Sequence, residues 1–505
     1  MRKEVFRMER VTCKEKGLVM LEDFNLNIWE GEIMGLIPGN SFGLHSFIQL
    51  LMENVPLEDG YIFYHEELIN SWKGGKKGNN RITVIQDRSC LVDGLTVADN
   101  VFVLRQGFRK NIIQPAVLEI QLEPFIKEIG IELSAGTYVD KLTSFERVVV
   151  EILKGIVAGH RLIILSEMSA LLGVDDLKKL YRIIRYYASK GYSFIYIGTH
   201  IEDLLQFCDR TALMSNGHIE KILQPRDMKF DKLHSISKEY DKMIHKYLEN
   251  RKDKEISGPS ICDCYCKTQN MKYPLTFGVR EGECLVLQCL DNTVYRMLLQ
   301  QLVGENTNTS WRMFLHGKKA EIPGNRHIAL LQEQCNKTML FPELSYMDNL
   351  CFNLDKRIRH VWTTGRIRKS IRQEYGEILG EDVFKLSVDE LTEKQKYQLV
   401  YSRILLQKPE IVFCMQPFKG ADLTHRMYIW RLLEQLLRKG IAVIILAVNL
   451  SDVLSLADRL ICIDKEKEHK EYKQSEFASV SVLEPWLQLY GTGKSVETAD
   501  DLDEF

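Results

Sequence analysis

Residues 31–51, GEIMGLIPGNSFGLHSFIQLL, carry a spacing that could bind a phosphate. An apolar run (Ile33, Met34, Leu36, Ile37) leads into a turn-rich loop (Pro38, Gly39, Asn40, Ser41, Gly43). Apolar residues then fall at helical spacing: Leu44, Phe47, Ile48 and Leu51. A phosphate-binding loop has this order, because its small residues let successive backbone N–H groups wrap an anion at a helix N-terminus. A Lys then reaches the outer phosphates and a Ser or Thr holds Mg²⁺. Here the layout persists and the chemistry does not. Laid on G-x-x-x-x-G-K-S/T, Pro38 stands for the first Gly, Leu44 for the Lys and His45 for the hydroxyl. Gly43 is in place and Ser46 is one position late. The groups left to meet an anion are Gly39, Asn40, Ser41, Gly43 and Ser46. Alone, the stretch reads as an ordinary strand, turn and helix, and the rest of the chain decides the matter.

A loop of this kind needs a sheet to hold it. Runs at 5–11, 24–29, 32–37, 61–64 and 81–86 predict strands. A helical section at 118–157 follows, then a buried strand at 162–165 and an amphipathic helix at 176–188. A second buried strand at 193–198 and a short strand pair at 212–222 complete the series. Continuous apolar strands alternating with helices indicate an α/β fold with a parallel sheet covered on both faces.

The pattern occurs twice. LTVADNV (95–101) returns as LSYMDNL (344–350), and IEDLLQFCDR (201–210) as LSDVLSLADR (450–459), both 249 residues on. Gly31-Glu32 returns as Gly282-Glu283. The chain is therefore two copies of one domain of about 240 residues. The copies span residues 1–238 and 259–492, with a polar linker at 239–258 and an acidic tail of disordered composition at 493–505.

Composition narrows the function classes. The 505 residues are 45% hydrophobic and 27% charged, as in a globular protein. Lys plus Arg (67) balance Asp plus Glu (69), so no basic field argues for nucleic acid. No apolar run approaches a membrane span of about 20 residues, and the N-terminus has no signal-peptide core. The expectation is a cytoplasmic protein, peripheral to a membrane only through a partner. Twelve scattered Cys suit reduced thiols. Cys262, Cys264 and Cys266 alternate along one strand face, which favours small buried or edge side chains over a zinc knuckle.

With two copies in view, the chain resembles the tandem ATP-binding cassette subunits of ribose, galactose and xylose type sugar importers, over roughly residues 9–489. The family's Gln after the strand that follows the phosphate loop is matched by Gln86 in VIQDRS. Its L-S-x-G-Q signature is matched by LTSFE, Leu142 to Glu146. The apolar strand into Asp-Glu-Pro is matched by LIILSEM, and the switch His by His200 in IGTH. In the second copy, LLQEQCNKTMLF, LTEKQKYQ and FCMQPFKGAD stand in the same order. Pro417, Gly420 and Asp422 keep their places in the last of these. The resemblance implies two P-loop NTPase-like domains, each with a parallel sheet core, an antiparallel β subdomain and a helical subdomain. It implies Mg²⁺ and ATP as cofactors, and a permease or an intact cassette subunit as partner.

It also shows what is missing. Glu15 occupies the position of the aromatic that stacks on adenine, a contact of about 1–3 kcal/mol by analogy with base stacking. Ser166 replaces the Mg²⁺-ordering Asp, while the water-polarising position keeps Glu167. Losing the Lys, the hydroxyl and the Asp removes three charge-assisted contacts of about 1.5–3 kcal/mol each. Together these approach the whole of a micromolar affinity, about 8 kcal/mol. The second copy has Asp291 in its loop, Tyr295 at the Lys position with Arg296 beside it as a possible phosphate fork, Met415 and Gln416 at the metal and water positions, and Asn449 at the switch. The signature Gly is replaced by Phe145 in one copy and Lys394 in the other. By resemblance, Leu391, Thr392, Glu393 and Lys394 form the degenerate signature that faces the first site, with Glu393 adding repulsion. Glu167 and His200 are vestigial catalytic positions, and Gln86 a nucleotide-side one.

Three functions compete. The first is a pseudo-ATPase serving as a binding and regulatory platform, with ATP and Mg²⁺ bound weakly or not at all. The second is a working energy-coupling ATPase of a carbohydrate importer. The third, a cassette protein acting on ribosomes, is disfavoured because the linker is short and mixed in charge.

Overall fold

The computed structural model describes residues 3–15, 17–76, 78–86, 89–103, 114–198, 204, 207–224, 258–268, 271–290, 292–304, 310–322, 324–354, 365–450 and 453–479. His200, Asp291, most of the linker at 239–258 and the tail at 493–505 lie outside the described residues. The chain forms two compact units. The first is residues 1–238 with 290–296 and 418–428; the second is 239–289, 297–417 and 429–505.

In the first unit β1 (Glu4–Glu15) and β2 (Leu18–Trp29) pair antiparallel, and β3 (Ile33–Pro38) leads to α1 (Leu44–Met52). β4 (Asp59–Tyr64) and β5 (Glu67–Ser71) complete an antiparallel sheet of order β2-β1-β4-β5. Then come β6 (Ile82–Ile85), α2 (Val97–Phe102), α3 (Pro115–Glu128), α4 (Ser144–Val157) and β7 (Leu162–Ser166). The single turn α5 (Met168–Leu171), α6 (Val174–Ser189), β8 (Ser193–Ile197), β9 (Arg210–Ser215) and β10 (His218–Leu223) follow. The second sheet has order β10-β9-β3-β8-β7-β6 and is parallel except for the β9/β10 pair.

Every residue of β3, β7 and β8 is buried, as a sheet covered on both faces requires. Alternation sends Met34, Leu36, Ile164 and Ile195 to one apolar layer with Phe24, Phe47 and Leu51. Ile33, Ile37, Ile163 and Phe194 go to the other, with Val149, Leu153, Leu180 and Ile184 of α4 and α6.

The second unit has β11 (Cys262–Lys267), β12 (Leu275–Val279), β13 (Cys284–Cys289), the end of α7 (Asn292–Val303), β14 (Ser310–Leu315), β15 (Lys318–Ala320) and β16 (Ile328–Leu331). It continues through α8 (Cys335–Thr338), α9 (Tyr346–Cys351), α10 (Gly365–Leu379), α11 (Glu393–Gln407) and β17 (Ile411–Met415). The later part of α12 (Leu423–Arg438), β18 (Ala442–Ala447), β19 (Arg459–Ile463) and β20 (Lys470–Lys473) close it. Its sheets, β12-β11-β14-β15 and β16-β17-β18-β13-β19-β20, repeat the first unit's strand order. All twelve cysteines are thiols; Cys262, Cys264 and Cys266 are buried on one face of β11, with the first two sulfurs 3.6 Å apart.

The repeated words of the sequence are structural ties. Arg210 Nε is 2.5 Å from Glu32 Oε1, and Asp209 Oδ2 accepts the Ile33 N–H at 2.9 Å. Arg459 and Glu283 pair at 2.7 Å, and Asp458 Oδ2 accepts the Cys284 N–H at 2.7 Å. In LTVADN, Thr96 caps α2 and Asn100 is fully buried, its Oδ1 accepting the Val92 N–H at 2.7 Å while its amide donates to Val92 O and Thr96 O. In LSYMDN, Ser345 caps α9, and Asn349 accepts from Phe341 N–H at 3.0 Å and donates to Phe341 O and Ser345 O. One asparagine thus closes the same eight-residue loop in both copies.

Candidate functional site

Because β3, β6, β7 and β8 run parallel, their C-terminal ends share one edge of the sheet, where α/β folds place ligands. The 38–43 loop leaves β3 there, Gln86 follows β6 as an exposed residue, and Glu167 follows β7. Glu167 is half-buried in the left-handed region (φ 57°), and its N–H donates to Ile197 O at 2.9 Å. Gln416 repeats this in the second unit, with φ 40° and an N–H bond to Leu446 O at 2.9 Å. Two non-glycine residues thus hold this sparsely populated conformation at matching strand ends.

The second unit carries an amide where the first has Glu167. Gln416 Nε2 donates to Glu333 Oε1 at 3.1 Å. Gln332 directly follows β16 as Gln86 follows β6, whereas Gln416 stands after β17 where the first unit has Glu167 after β7.

The 38–43 loop is bonded to its own protein. Gly39 N–H donates to Met214 O at 2.8 Å, and Phe42 N–H to Asn40 Oδ1 at 3.2 Å. Asn40 Nδ2 donates to Asn216 Oδ1 at 2.8 Å. Ser41 N–H donates to Asp422 Oδ2 at 3.0 Å within the first unit. Gly43 is forced by geometry: it has φ 76°, and a Cβ would lie 2.4 Å from Met20 O. Leu44 is half-buried and packs on the layer under the antiparallel sheet, so the Lys position points into apolar surroundings. His45 is exposed, while the buried Ser46 places its Oγ 3.5 Å from Glu15 Oε2.

Burial works to raise the Asp422 pKa, but His425's side chain and N–H, its charge, and the Ser41 N–H outweigh that and hold the carboxyl below the usual range. Asp422 and Glu15 both contact the 38–46 segment, through Ser41 and Ser46.

Both signatures survive as helix caps. Thr143 and Glu146 form a capping box at α4, and Thr392 and Gln395 one at α11. What disappears is the glycine: Phe145 is buried, and Lys394 lies in the first turn of α11. Leu391 is buried, and Glu393 is engaged inside the second unit by Asn336 at 2.5 Å and Lys396 at 3.0 Å, so its charge is compensated locally. Arg296 Nη2 donates to Ser144 Oγ at 2.9 Å, which commits part of its fork to protein, and Tyr295 is buried. Among the described residues no group of three or more His, Cys, Asp or Glu is arranged to hold a metal.

Sequence reasoning did not find the Asp422 contact, which joins residues 381 apart, or the exposed apolar residues flanking the asparagine loops. Those are Val92 and Val103 in the first unit, and Phe341 and Phe352, stacked at 4.4 Å, in the second. Their signal was available, since each pair brackets one copy of the repeated word.

Residues 21–170 match the ABC transporter family. The chain is 21% identical over 499 residues to the ribose import ATP-binding protein RbsA of Caldanaerobacter subterraneus subsp. tengcongensis, covering 95% of this chain and 98% of that protein. It is 21% identical over 510 residues to the xylose import ATP-binding protein XylG of Moorella thermoacetica, with 95% and 98% covered. Among solved structures, a chain of the model of ribosome-bound archaeal Pelota and ABCE1 aligns with a TM-score of 0.58 and 14% identity, over 93% of this chain and 79% of that one, a likeness of fold. The chain is thus built from two tandem domains of the ABC ATPase fold and resembles, along nearly its whole length, the ATP-binding subunits of carbohydrate importers.

Proposed function

We propose that the chain is a pseudo-ATPase, a pair of cassette-like domains that serves a permease or an intact cassette subunit as a binding and regulatory platform. The observation that carries this is Leu44: the position that should bring an ammonium to the phosphates is an aliphatic side chain packed on the core. Phosphoryl transfer needs a cationic and metal clamp on the transferring group, and Glu167 without one has nothing to polarise water against. Purified protein is expected to release phosphate from ATP no faster than buffer. Steady turnover that disappears in Glu167→Gln would overturn this and favour the second reading, a working coupling subunit. That reading draws on the Glu167 backbone and the two intact capping boxes.

The platform's docking faces are the asparagine loops with their apolar flanks. The ties inside LTVADN and LSYMDN serve folding, which leaves Val92, Val103, Phe341 and Phe352 to meet a partner. Among the described residues no helix is long and apolar enough to cross a membrane, and we place the chain in the cytoplasm, at the inner face of the membrane through its permease. Val103→Asp combined with Phe352→Asp should abolish co-purification with that permease while leaving the melting temperature within a few degrees, as exposed substitutions do. Undiminished recovery of the complex would move docking elsewhere.

A further inference from the structure

We propose that a groove between the end of α3 and the outer face of α6 is a binding site for a small amphipathic carboxylate, a molecule with one anionic head and a compact apolar body. The site is separate from the nucleotide site and stands whether or not the 38–43 loop handles ATP.

The groove has a volume of about 290 Å³ and lies between Glu128 to Ile131 on one side and Lys179, Arg182, Ile183 and Tyr186 on the other. Positions 179, 182, 183 and 186 fall on one face of a helix, so α6 supplies a continuous wall. Gly130, with φ 65°, turns the chain out of α3. Ile129 and Ile131 on either side of it rest, with Tyr186, on the apolar layer that contains α4 and α6, and Ile183 is buried within that layer. The floor is therefore apolar, and a volume at the low end for ligand pockets suits a small molecule. Long cationic side chains often lie flat over such a floor, yet Lys179 and Arg182 line the groove without filling it.

The charges at its mouth select the head group. Glu128 is engaged, since Tyr186 Oη donates to its Oε1 and Lys190 Nζ lies 3.9 Å from the same oxygen. Lys179 Nζ is 3.0 Å from Asp176 Oδ1, in a largely exposed pair, and 5.5 Å from the centre of the Phe145 ring. Arg182 is exposed and, among the described residues, pairs with no carboxylate. With Lys190 offsetting Glu128 and Asp176 offsetting Lys179, one positive charge is left over, which matches a carboxylate and not a phosphate dianion. Its bearer is a guanidinium, whose planar fork fits a carboxylate with two parallel bonds. The repeat does not dictate this arrangement. In the second copy, 249 residues on, Tyr428 and Gln435 stand where α6 has Lys179 and Tyr186.

The rival account is a seam at the end of α3, with Arg182 a solvated surface residue. Full-length protein carrying labelled isoleucine methyl groups is titrated by NMR with sodium hydrocinnamate, with hydrocinnamide as the uncharged counterpart and propionate as the head alone. The methyls of Ile129, Ile131 and Ile183 should shift together along one saturating curve with hydrocinnamate. The amide and propionate should each bind at least about tenfold more weakly, for want of the charge-assisted bond in one and the buried ring in the other. Arg182→Glu should weaken hydrocinnamate at least as much, with little change in melting temperature because the residue is exposed. Equal binding of acid and amide overturns the site. So do shifts that stay linear in ligand or fall on other isoleucines, and so does undiminished binding by Arg182→Glu. The comparison of acid with amide needs no variant and decides the matter even if Arg182→Glu does not fold. ATP turnover, present or absent, leaves this result unchanged.

Discussion

Replacing Arg210 with alanine is expected to destabilise the first unit by about 3–5 kcal/mol, the usual result of removing one partner from a buried ion pair. Glu32 is 2% exposed at its side chain and Arg210 13%. The guanidinium bonds both carboxylate oxygens and also donates to Asn27 O, so its loss strands an anion under β1, β2 and β3. Glu32 Oε2 additionally accepts the Trp29 N–H at 2.8 Å, which fixes the turn into β3 and hence the start of the loop strand. Urea unfolding followed by circular dichroism is the direct measurement. The exposed pair Lys76 and Glu67 is the control, because Lys76→Ala should leave the urea midpoint nearly unchanged. If Arg210→Ala behaves like the control, the pair is not the tie that its recurrence as Arg459 and Glu283 implies.

Titrated with ATP near neutral pH, the protein is expected to bind no tighter than about millimolar, on the order of −4 kcal/mol, with little help from Mg²⁺. Relative to a micromolar site that is a loss of about 4 kcal/mol. The geometry supplies the causes: Leu44 on the core and Glu15 reaching Ser46. What binding remains should belong to the first loop. Calorimetry with and without Mg²⁺ checks this, and micromolar Mg²⁺-dependent affinity would mean that substitutes for Leu44 and Ser166 exist.

The fold was legible where one residue type has one structural use. Asn100 and Asn349 each satisfy several main-chain groups of a tight loop, Asp209 and Asp458 each accept a strand's first N–H, and Arg210 and Arg459 each neutralise a buried Glu. Few side chains could replace them, so they stand in both copies and reveal the repeat. The largely apolar runs of β3, β7 and β8 likewise announced a sheet covered on both faces. The short helix α2 was missed because six residues hold too little periodicity, and β5 because ELINS is a brief edge strand. In the candidate site the losses could be read one residue at a time, but what replaced them could not. That Leu44 turns toward the core is a matter of packing, and that Asp422 meets Ser41 depends on chain segments 381 residues apart.

The distribution of thiols has a kinetic consequence. Nine of the twelve cysteines fall between 262 and 462, and eight of those nine are buried. A buried thiol meets an alkylating reagent only while its surroundings are open, so its labelling rate reports the free energy of the smallest opening that reaches it. Burial also pushes Cys266 and Cys335 up to about 12, which suppresses the reactive thiolate for as long as the packing holds. Cys90, exposed in the first unit, supplies the unprotected reference rate in the same molecule. The second unit therefore carries its own clock for local unfolding, with Cys262, Cys264 and Cys266 timing the antiparallel sheet and Cys284 and Cys414 the parallel one.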